Sequence, residues 1–409
     1  MSRVLAYTSP ARGHLYPVTP ILLELRDRGH DVQVRTLASE VPMLRSLGLE
    51  AGPIAPEIEA IVHDDWQART PQQGLARSVR SFADRAPHDA ADLRRALDEV
   101  RPDLVLIDVN SWGAIAAAEQ WGGPWAVFCP YPLVLSSVDA PPFGPGLRPA
   151  RGPAGRLRDR LVGPLVRGTM ERAMLPPLND LRTGMGLAPV AGIDSFMLSM
   201  PLLLSFTAEP FEYPRSDWPS NVVMVGASPW EPPSQPPEWL SGIEDPIVLV
   251  TTSSEFQDDG RLVEVALEAL ADEPVHVIAT VPSARVPTAS AIPGNAHVVT
   301  FLAHSQVLPR AACAVTHGGM GATQKALAHG VPVCAVPFGR DQMEVARRVE
   351  VAGAGTRLPA RRLRPDRLRS AVLDAIGCRD GAARVAAGYA AAGGAPAAAD
   401  ALEGSLVAH

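Results

Sequence analysis

The chain has 409 residues, 46% of them hydrophobic, with 44 acidic and 37 basic side chains and a formal charge of −7. That length exceeds what one hydrophobic core usually fills and predicts two domains of roughly 200 residues each. The acidic balance, without a long basic cluster, argues against nucleic acid as a partner. The lack of any apolar run near 18 residues, or of a leader's apolar core in MSRVLAYTSP, predicts a cytoplasmic protein with no membrane segment.

The opening VLAYTSPARGHLYPVTPILLELRDRGHDVQVRT reads as a strand, a loop carrying His14, a helix with apolar Ile21, Leu22 and Leu25, and a second strand at Val32 and Val34. Pro17 suits the first helical turn and Gly29 the helix end, where His30 is a dipole-favourable cap. The pattern returns at PDLVLIDVNSWGAIAAAEQWGGPWAVFCP, with Asp108 closing the strand LVLID. Strands alternating with helices imply a parallel sheet covered on both faces. From about 130 to 214 proline and glycine interrupt several apolar pieces, and helices joined by mobile loops are expected. Proline-rich DWPSNVVMVGASPWEPPSQPPEWLSGIEDP favours an extended connection between domains.

After it the alternation restarts with IVLVTTS, a helix near 261–271, VHVIATV, HVVTFL, CAVTHGG, a helix from Gly321, VPVCAVP and a helix from Asp341. The alanine-rich tail predicts one or two terminal helices. Cys129, Cys313, Cys334 and Cys378 are far apart and lie mostly in apolar runs, so reduced, buried thiols are expected.

In CAVTHGGMGATQKALAHG a buried strand ends at Thr316 and a helix begins near Gly321, so unpaired backbone N–H groups point out of a glycine-rich turn beside His317. A helix start of this kind binds phosphate, and glycines let the anion approach the main chain. The turn is neither GxGxxG nor GxxxxGK[ST], which counts against a dinucleotide oxidoreductase and against ATP hydrolysis. Neither a D-x-D pair nor an H-E-x-x-H or CxxC set was found, so no metal and no cofactor are expected.

The order His317, Gly319, Gly321, Gly330-Val331-Pro332, Pro337, Asp341-Gln342 resembles the signature of family-1, GT-B-fold glycosyltransferases, and most closely the actinobacterial enzymes that decorate natural products. The resemblance implies an α/β fold of two doubly wound Rossmann-like domains facing each other across a cleft. It divides the chain into an acceptor-binding domain (1–215), a linker region (216–245), a nucleotide-sugar domain (246–385) and a C-terminal helix (386–409) packing back towards the first domain. Carried over by position, His317, Gly318, Gly319, Gly321, Ala322 and Thr323 would receive the diphosphate, with Ser254 as a further phosphate contact. Asp341 and Gln342 would hold sugar hydroxyls, Phe301 would stack on the base, Leu302 would bond it through the main chain, and His304 would lie nearby.

The resemblance places the base at His14 and its supporting aspartate at Asp108. Arg12 stands where some members carry a further histidine. Lys325, the single lysine, stands where many UDP-sugar members carry a ribose-binding glutamate, and a lysine cannot accept a hydroxyl proton. A TDP-deoxysugar donor is therefore expected. Trp66, Trp112, Phe143, Met170 and Phe196, with Met174, Met197 and Met200, are candidates for a flat apolar acceptor site, though core packing is the commoner fate of any one of them.

The expected function is inverting, metal-independent transfer of a sugar to a hydroxyl of a hydrophobic natural product in antibiotic biosynthesis. Rival readings are a UDP-glucose-dependent enzyme that inactivates an antibiotic, a non-catalytic nucleotide-sugar-binding partner, and an epimerase on the same fold. The aglycone, the linkage atom and the oligomeric state, a homodimer included, are left open by the residues.

Overall fold

The computed structural model describes residues 1–255, 257, 259–282, 288 and 292–407. In chain order the first part contains β1 (Arg3–Tyr7), α1 (Arg12–Asp27), β2 (Asp31–Thr36), α2 (Val41–Ser46), β3 (Glu50–Pro53), α3 (Pro56–Ala60), α4 (Pro71–Val100), β4 (Leu104–Asp108), α5 (Trp112–Trp121), β5 (Trp125–Cys129), α6 (Pro153–Gly184), α7 (Ile193–Leu198), β6 (Leu203–Ser205) and β7 (Val222–Met224). The second part contains β8 (Ile247–Thr251), α8 (Arg261–Leu270), β9 (His276–Thr280), β10 (Ala296–Val299), β11 (Ala311–Thr316), α9 (Met320–Ala328), β12 (Val333–Ala335), α10 (Gln342–Val351), β13 (Gly355–Arg357), α11 (Pro365–Ile376), α12 (Arg379–Ala391) and α13 (Gly394–Val407).

Among the described residues the strands form two parallel sheets, ordered β3-β2-β1-β4-β5-β6-β7 and β10-β9-β8-β11-β12-β13. Both are the doubly wound arrangement, in which the chain leaves adjacent central strands in opposite directions and opens a crevice at their carboxyl ends. Continuous apolar runs make this possible. Val4, Leu5, Ala6 and Tyr7 of β1, all of Leu104–Asp108 in β4 and all of Ile247–Thr251 in β8 are buried, as strands covered on both faces require.

Several expectations change at this level. Pro17 does not open α1: the helix starts at Arg12, which puts His14 in its first turn and Pro17 and Pro20 inside it. The long amphipathic α4 was not read from the sequence. The interval 216–245 is not connection throughout, because β7 pairs with β6 and completes the first sheet. The tail is not one helix after residue 385. Helix α12 runs through that point, and the chain breaks at Gly393 and Gly394, both with positive φ, before α13.

The two units touch at several places. Gly388 of α12 lies so close to the Glu209 carbonyl that a Cβ would meet it at 2.0 Å, and Tyr389 packs its ring 5.9 Å from that of Phe211. α13 packs against α1, where Arg28 pairs with Asp400 and Glu403 at 2.6 and 2.8 Å, and His30 Nε2 reaches Glu403 at 2.9 Å instead of merely capping its helix. The loop at Gly144 and Gly146 donates two backbone bonds of 2.8 Å to the Glu344 carboxylate on α10.

Candidate active site

Each crevice is flanked by two strand ends, and the sequence-predicted polar residues fall on them. In the first domain these are β1 and β4. The Asp108 carboxylate is fully buried and accepts from Ser9 N at 3.1 Å, Ser9 Oγ at 2.7 Å and Asn110 N at 2.9 Å. His14 Nδ1 lies 3.0 Å from its Oδ1 and 2.9 Å from its Oδ2. Burial alone would raise the Asp108 pKa, but the charge and hydrogen bond of His14 and the N–H and O–H donors outweigh it and hold the carboxyl below its ordinary value.

An ionised Asp108 only accepts, so it fixes the proton of neutral His14 on Nδ1 and leaves Nε2 with a lone pair. Nε2 lies 3.5 Å from Asn110 Nδ2, whose amide is oriented by a 2.7 Å bond from the Tyr131 hydroxyl to Asn110 Oδ1. The Tyr131 ring meets the imidazole edge-on with centroids 5.8 Å apart. Burial pushes the His14 pKa down, yet the negative charge of Asp108, with contributions from Glu255 and Asp341, raises it above its ordinary value. Glu255 and Asp341 belong to the second domain, so the two crevices face each other.

In the second domain the flanking strands are β8 and β11. At the end of β11, Thr316 Oγ1 accepts from Gly318 N at 3.1 Å in a turn that takes Gly318 to a φ of +83°, where a side chain would be strained. A Cβ on Gly319 would stand 2.1 Å from the His317 ring, so this glycine makes room for the imidazole. Beyond Gly321 nothing lies within 4 Å of an added Cβ, and the first N–H groups of α9 have no partner in their own helix. Burial depresses the His317 pKa, so it stands here as a neutral hydrogen-bonding group. Ala322 is half-buried in the first turn of α9 and Ser254 is exposed in the loop after β8.

Other expected contacts are differently engaged. Thr323 is buried behind the turn, its hydroxyl 3.2 Å from Thr316 Oγ1 and its N–H already bonded to Gly319 O. Gln342 is buried too. Its Oε1 accepts from Phe338 N and Gly339 N at 2.7 and 3.0 Å, and its Nε2 donates to Gln257 at 2.6 Å. These bonds shape the loop that carries Asp341 and leave one Nε2 hydrogen as the remaining amide donor. Asp341 itself is half-buried at the start of α10, and burial raises its pKa. Phe301 is 55% exposed, whereas Leu302 is buried.

The aromatic and methionine candidates separate. Trp112, Phe196, Met197 and Met200 are buried in the first-domain core, and Met170 and Met174 pack half-buried against it, because the apolar faces of α5, α6 and α7 close over the sheet. Trp66 is 40% exposed beside Asp65, and Phe143 is half-buried next to Gly144 at the contact with α10. Of these candidates Trp66 is the most exposed, and Phe143, Met170 and Met174 are all half-buried.

Sequence reasoning missed Asn110, Tyr131, Arg340 and Glu231. Arg340 has a left-handed φ of 53° and bonds Asp65 of the first domain through Nε and Nη2 at 2.7 and 2.8 Å, with Glu255 at 3.1 Å. Its place immediately before Asp341 was the available signal. Glu231 lies in the proline-rich stretch and gave none. Among the described residues no group of three or more His, Cys, Asp or Glu could hold a metal ion, and no helix is long and apolar enough to cross a membrane.

Comparison with known proteins places this geometry. Residues 264–402 match the family model of the erythromycin biosynthesis protein CIII-like C-terminal domain. Over 98% of this chain and 99% of the relative, the sequence is 33% identical to a 4'-demethylrebeccamycin synthase of Lentzea aerocolonigenes. It is 26% identical to the 3-alpha-mycarosylerythronolide B desosaminyl transferase of Saccharopolyspora erythraea over 94% of this chain and 93% of that one. Among solved structures, glycosyltransferase VinC in complex with DTDP superposes with a TM-score of 0.73 at 22% identity, covering 100% of both chains. With both parallel sheets, the facing crevices and these relatives together, the chain belongs to the GT-B-fold glycosyltransferases of natural-product biosynthesis.

Proposed function

We propose that the protein moves a TDP-linked deoxysugar onto a hydroxyl of an apolar secondary-metabolite aglycone, with inversion at the anomeric carbon, in the cytoplasm. The first domain would receive the aglycone and the second the nucleotide sugar. One observation carries the reading: His14 is locked by Asp108 with its proton on Nδ1, and its Nε2 lone pair meets only the long 3.5 Å contact from the Asn110 amide, which an acceptor hydroxyl would replace.

In this mechanism the acceptor oxygen attacks the anomeric carbon while its proton passes to His14 Nε2. The bond from that carbon to the diphosphate oxygen breaks, and its electron pair leaves with TDP. Asp108 stabilises the imidazolium that forms. The start of α9 and the space at Gly321 would receive the diphosphate, with His317 as a neutral donor. Asp341 would accept from sugar hydroxyls. Direct displacement by one base predicts inversion. The DTDP of the VinC complex and the desosaminyl transferase relative support the choice of donor.

The test is turnover with a panel of TDP- and UDP-sugars and polycyclic or macrolide aglycones, with product stereochemistry read by NMR. His14→Ala is expected to lose about 10²- to 10⁴-fold in turnover. A strong preference for UDP-glucose would overturn the TDP assignment, and undiminished turnover by His14→Ala would overturn the mechanism.

A further inference from the structure

The loop that carries Phe143 belongs to the first domain by sequence, yet its bonds run to the second. Gly144 N and Gly146 N both donate to Glu344 Oε1 at 2.8 Å, while Glu344 Oε2 accepts from Arg348 Nη1 at 2.9 Å. Gly144 and Gly146 have φ of +122° and +60°, and N–H groups turned inward by left-handed residues make a concavity that holds an anion. The Glu344 carboxylate, its side chain 2% exposed, fills it. Arg347 Nε donates to Gly146 O at 2.7 Å, and Arg148 pairs with Glu350. A Cβ on Gly146 would stand 2.4 Å from the Met343 carbonyl oxygen, so the loop lies directly against α10.

The attachment falls beside the reacting groups. Helix α10 opens at Asp341, whose charge reaches His14 across the cleft, and Glu344 is three residues further, about 4.5 Å along the helix. Phe143 is the residue before Gly144. An aglycone with its hydroxyl at His14 Nε2 and a sugar at Asp341 ahead of it therefore has the half-buried Phe143 at its side. The ring offers a flat apolar face to a fused-ring or macrocyclic acceptor. Without the bonds to Glu344 a segment with glycine at 144 and 146 would sample many conformations, and each acceptor would have to order it on binding.

We propose that Glu344 is a positioning residue for the acceptor: it fastens Phe143 beside α10, so that the second domain, and not the first alone, sets the wall against which an apolar aglycone lies. The proposal rests on the acceptor reading given above and adds to it the residue that holds the wall in place.

Steady-state kinetics with the TDP-sugar and aglycone that the panel identifies, read together with hydrogen exchange of a peptide spanning 142–150, test it. Gly146→Ala forces the loop off the Met343 carbonyl without touching the pair between Glu344 and Arg348. It is expected to raise the acceptor KM about tenfold, with kcat and TDP affinity within about twofold of wild type, and to speed exchange in the loop. Phe143→Ala should raise the acceptor KM to a similar degree. The double variant Phe143→Ala/Gly146→Ala should be no worse than either, because both remove one contact. Glu344→Leu should act as Gly146→Ala does, with a lower melting temperature because Arg348 loses a partner. Glu344→Gln keeps an oxygen for the two N–H groups and should hold the acceptor KM within about threefold of wild type. An unchanged acceptor KM in Gly146→Ala, or additive losses in the double variant, would overturn the proposal while leaving sugar transfer standing. Absence of transfer by the wild type to any aglycone of the panel would overturn the acceptor reading itself.

Discussion

His14 and Asp108 lie 94 residues apart in sequence and touch in the fold because both follow central strands of one sheet. Since Asp108 is the main influence raising the His14 pKa, the acid limb of kcat/KM should fall above the ordinary histidine value of 6.5, where loss of the proton frees Nε2. Asp108→Asn removes that anion and leaves the burial, so the limb should move to lower pH while the rate at neutral pH falls by about 10²-fold or more. A pH–rate profile with an unmoved limb would detach Asp108 from the base. Glycines in the second crevice make a paired test. Gly319→Ala should displace His317, which a Cβ would meet at 2.1 Å, and weaken nucleotide binding with some loss of stability. Gly321→Leu enters open space and should leave the melting temperature within a degree or two while abolishing TDP binding. These positions stood out in the sequence because each couples a residue type to a strand end. Residue type carries no record that Thr323 and Gln342 also bond Thr316, Gly319, Phe338, Gly339 and Gln257.

Among the elements, buried parallel strands were the most legible because burial on both faces leaves continuous apolar runs. Short β3, β7 and β13 lack such runs, since edge strands are partly solvated, and the sequence reading passed over them. α1 was legible as a helix but its start was not: proline is tolerated in its interior, where the hydroxyl of Thr19 donates to the Leu15 carbonyl at 2.8 Å. α13 shows what local pattern cannot convey. Its alanine-rich sequence has little amphipathic signal, yet Ala398, Ala399 and Leu402 are fully buried in one cluster with Leu15, Val18, Ile21, Leu22 and Leu25 of α1. A chain ending at residue 393 would expose both faces and lose the Arg28 and His30 contacts with Glu403. Leucine and alanine burial alone stabilise by about 3 kcal/mol, so the truncated protein should melt several degrees lower, with a matching loss of first-domain protection in hydrogen exchange. An unchanged melting profile would make α13 dispensable.

Across the whole molecule the two domains are joined by two kinds of contact. One is buried: Arg348 of α10 pairs with Glu212 at 2.8 Å and Glu344 at 2.9 Å, all three almost without solvent exposure. Removing Arg348 would take the shared cation from Glu212 and Glu344, although Glu344 keeps the Gly144 and Gly146 N–H donors, at a cost of about 3 kcal/mol, which marks this side as the fixed one. The other is Arg340, 26% exposed, which crosses to Asp65 from a backbone conformation that disfavours a side chain. Asp65 is only 6% exposed, but the guanidinium is partly hydrated, so this pair breaks at lower cost than the Arg348 cluster, as a cleft that admits a nucleotide sugar and then excludes water requires. Arg340→Gly separates the two effects. Glycine accepts the left-handed backbone, relieving strain of about 1 kcal/mol, while the contact to Asp65 is lost. Loss of the two bonds to nearly buried Asp65 should outweigh that relief, so thermal stability should fall, kcat should fall about tenfold as closure weakens, and small-angle scattering should report a larger radius of gyration. Asp65→Asn, which loosens the same pair without touching the backbone, should reproduce the loss in kcat and the expansion. If Arg340→Gly turned over at the wild-type rate with unchanged dimensions, Arg340 and Asp65 would be a surface pair without a part in closing the cleft.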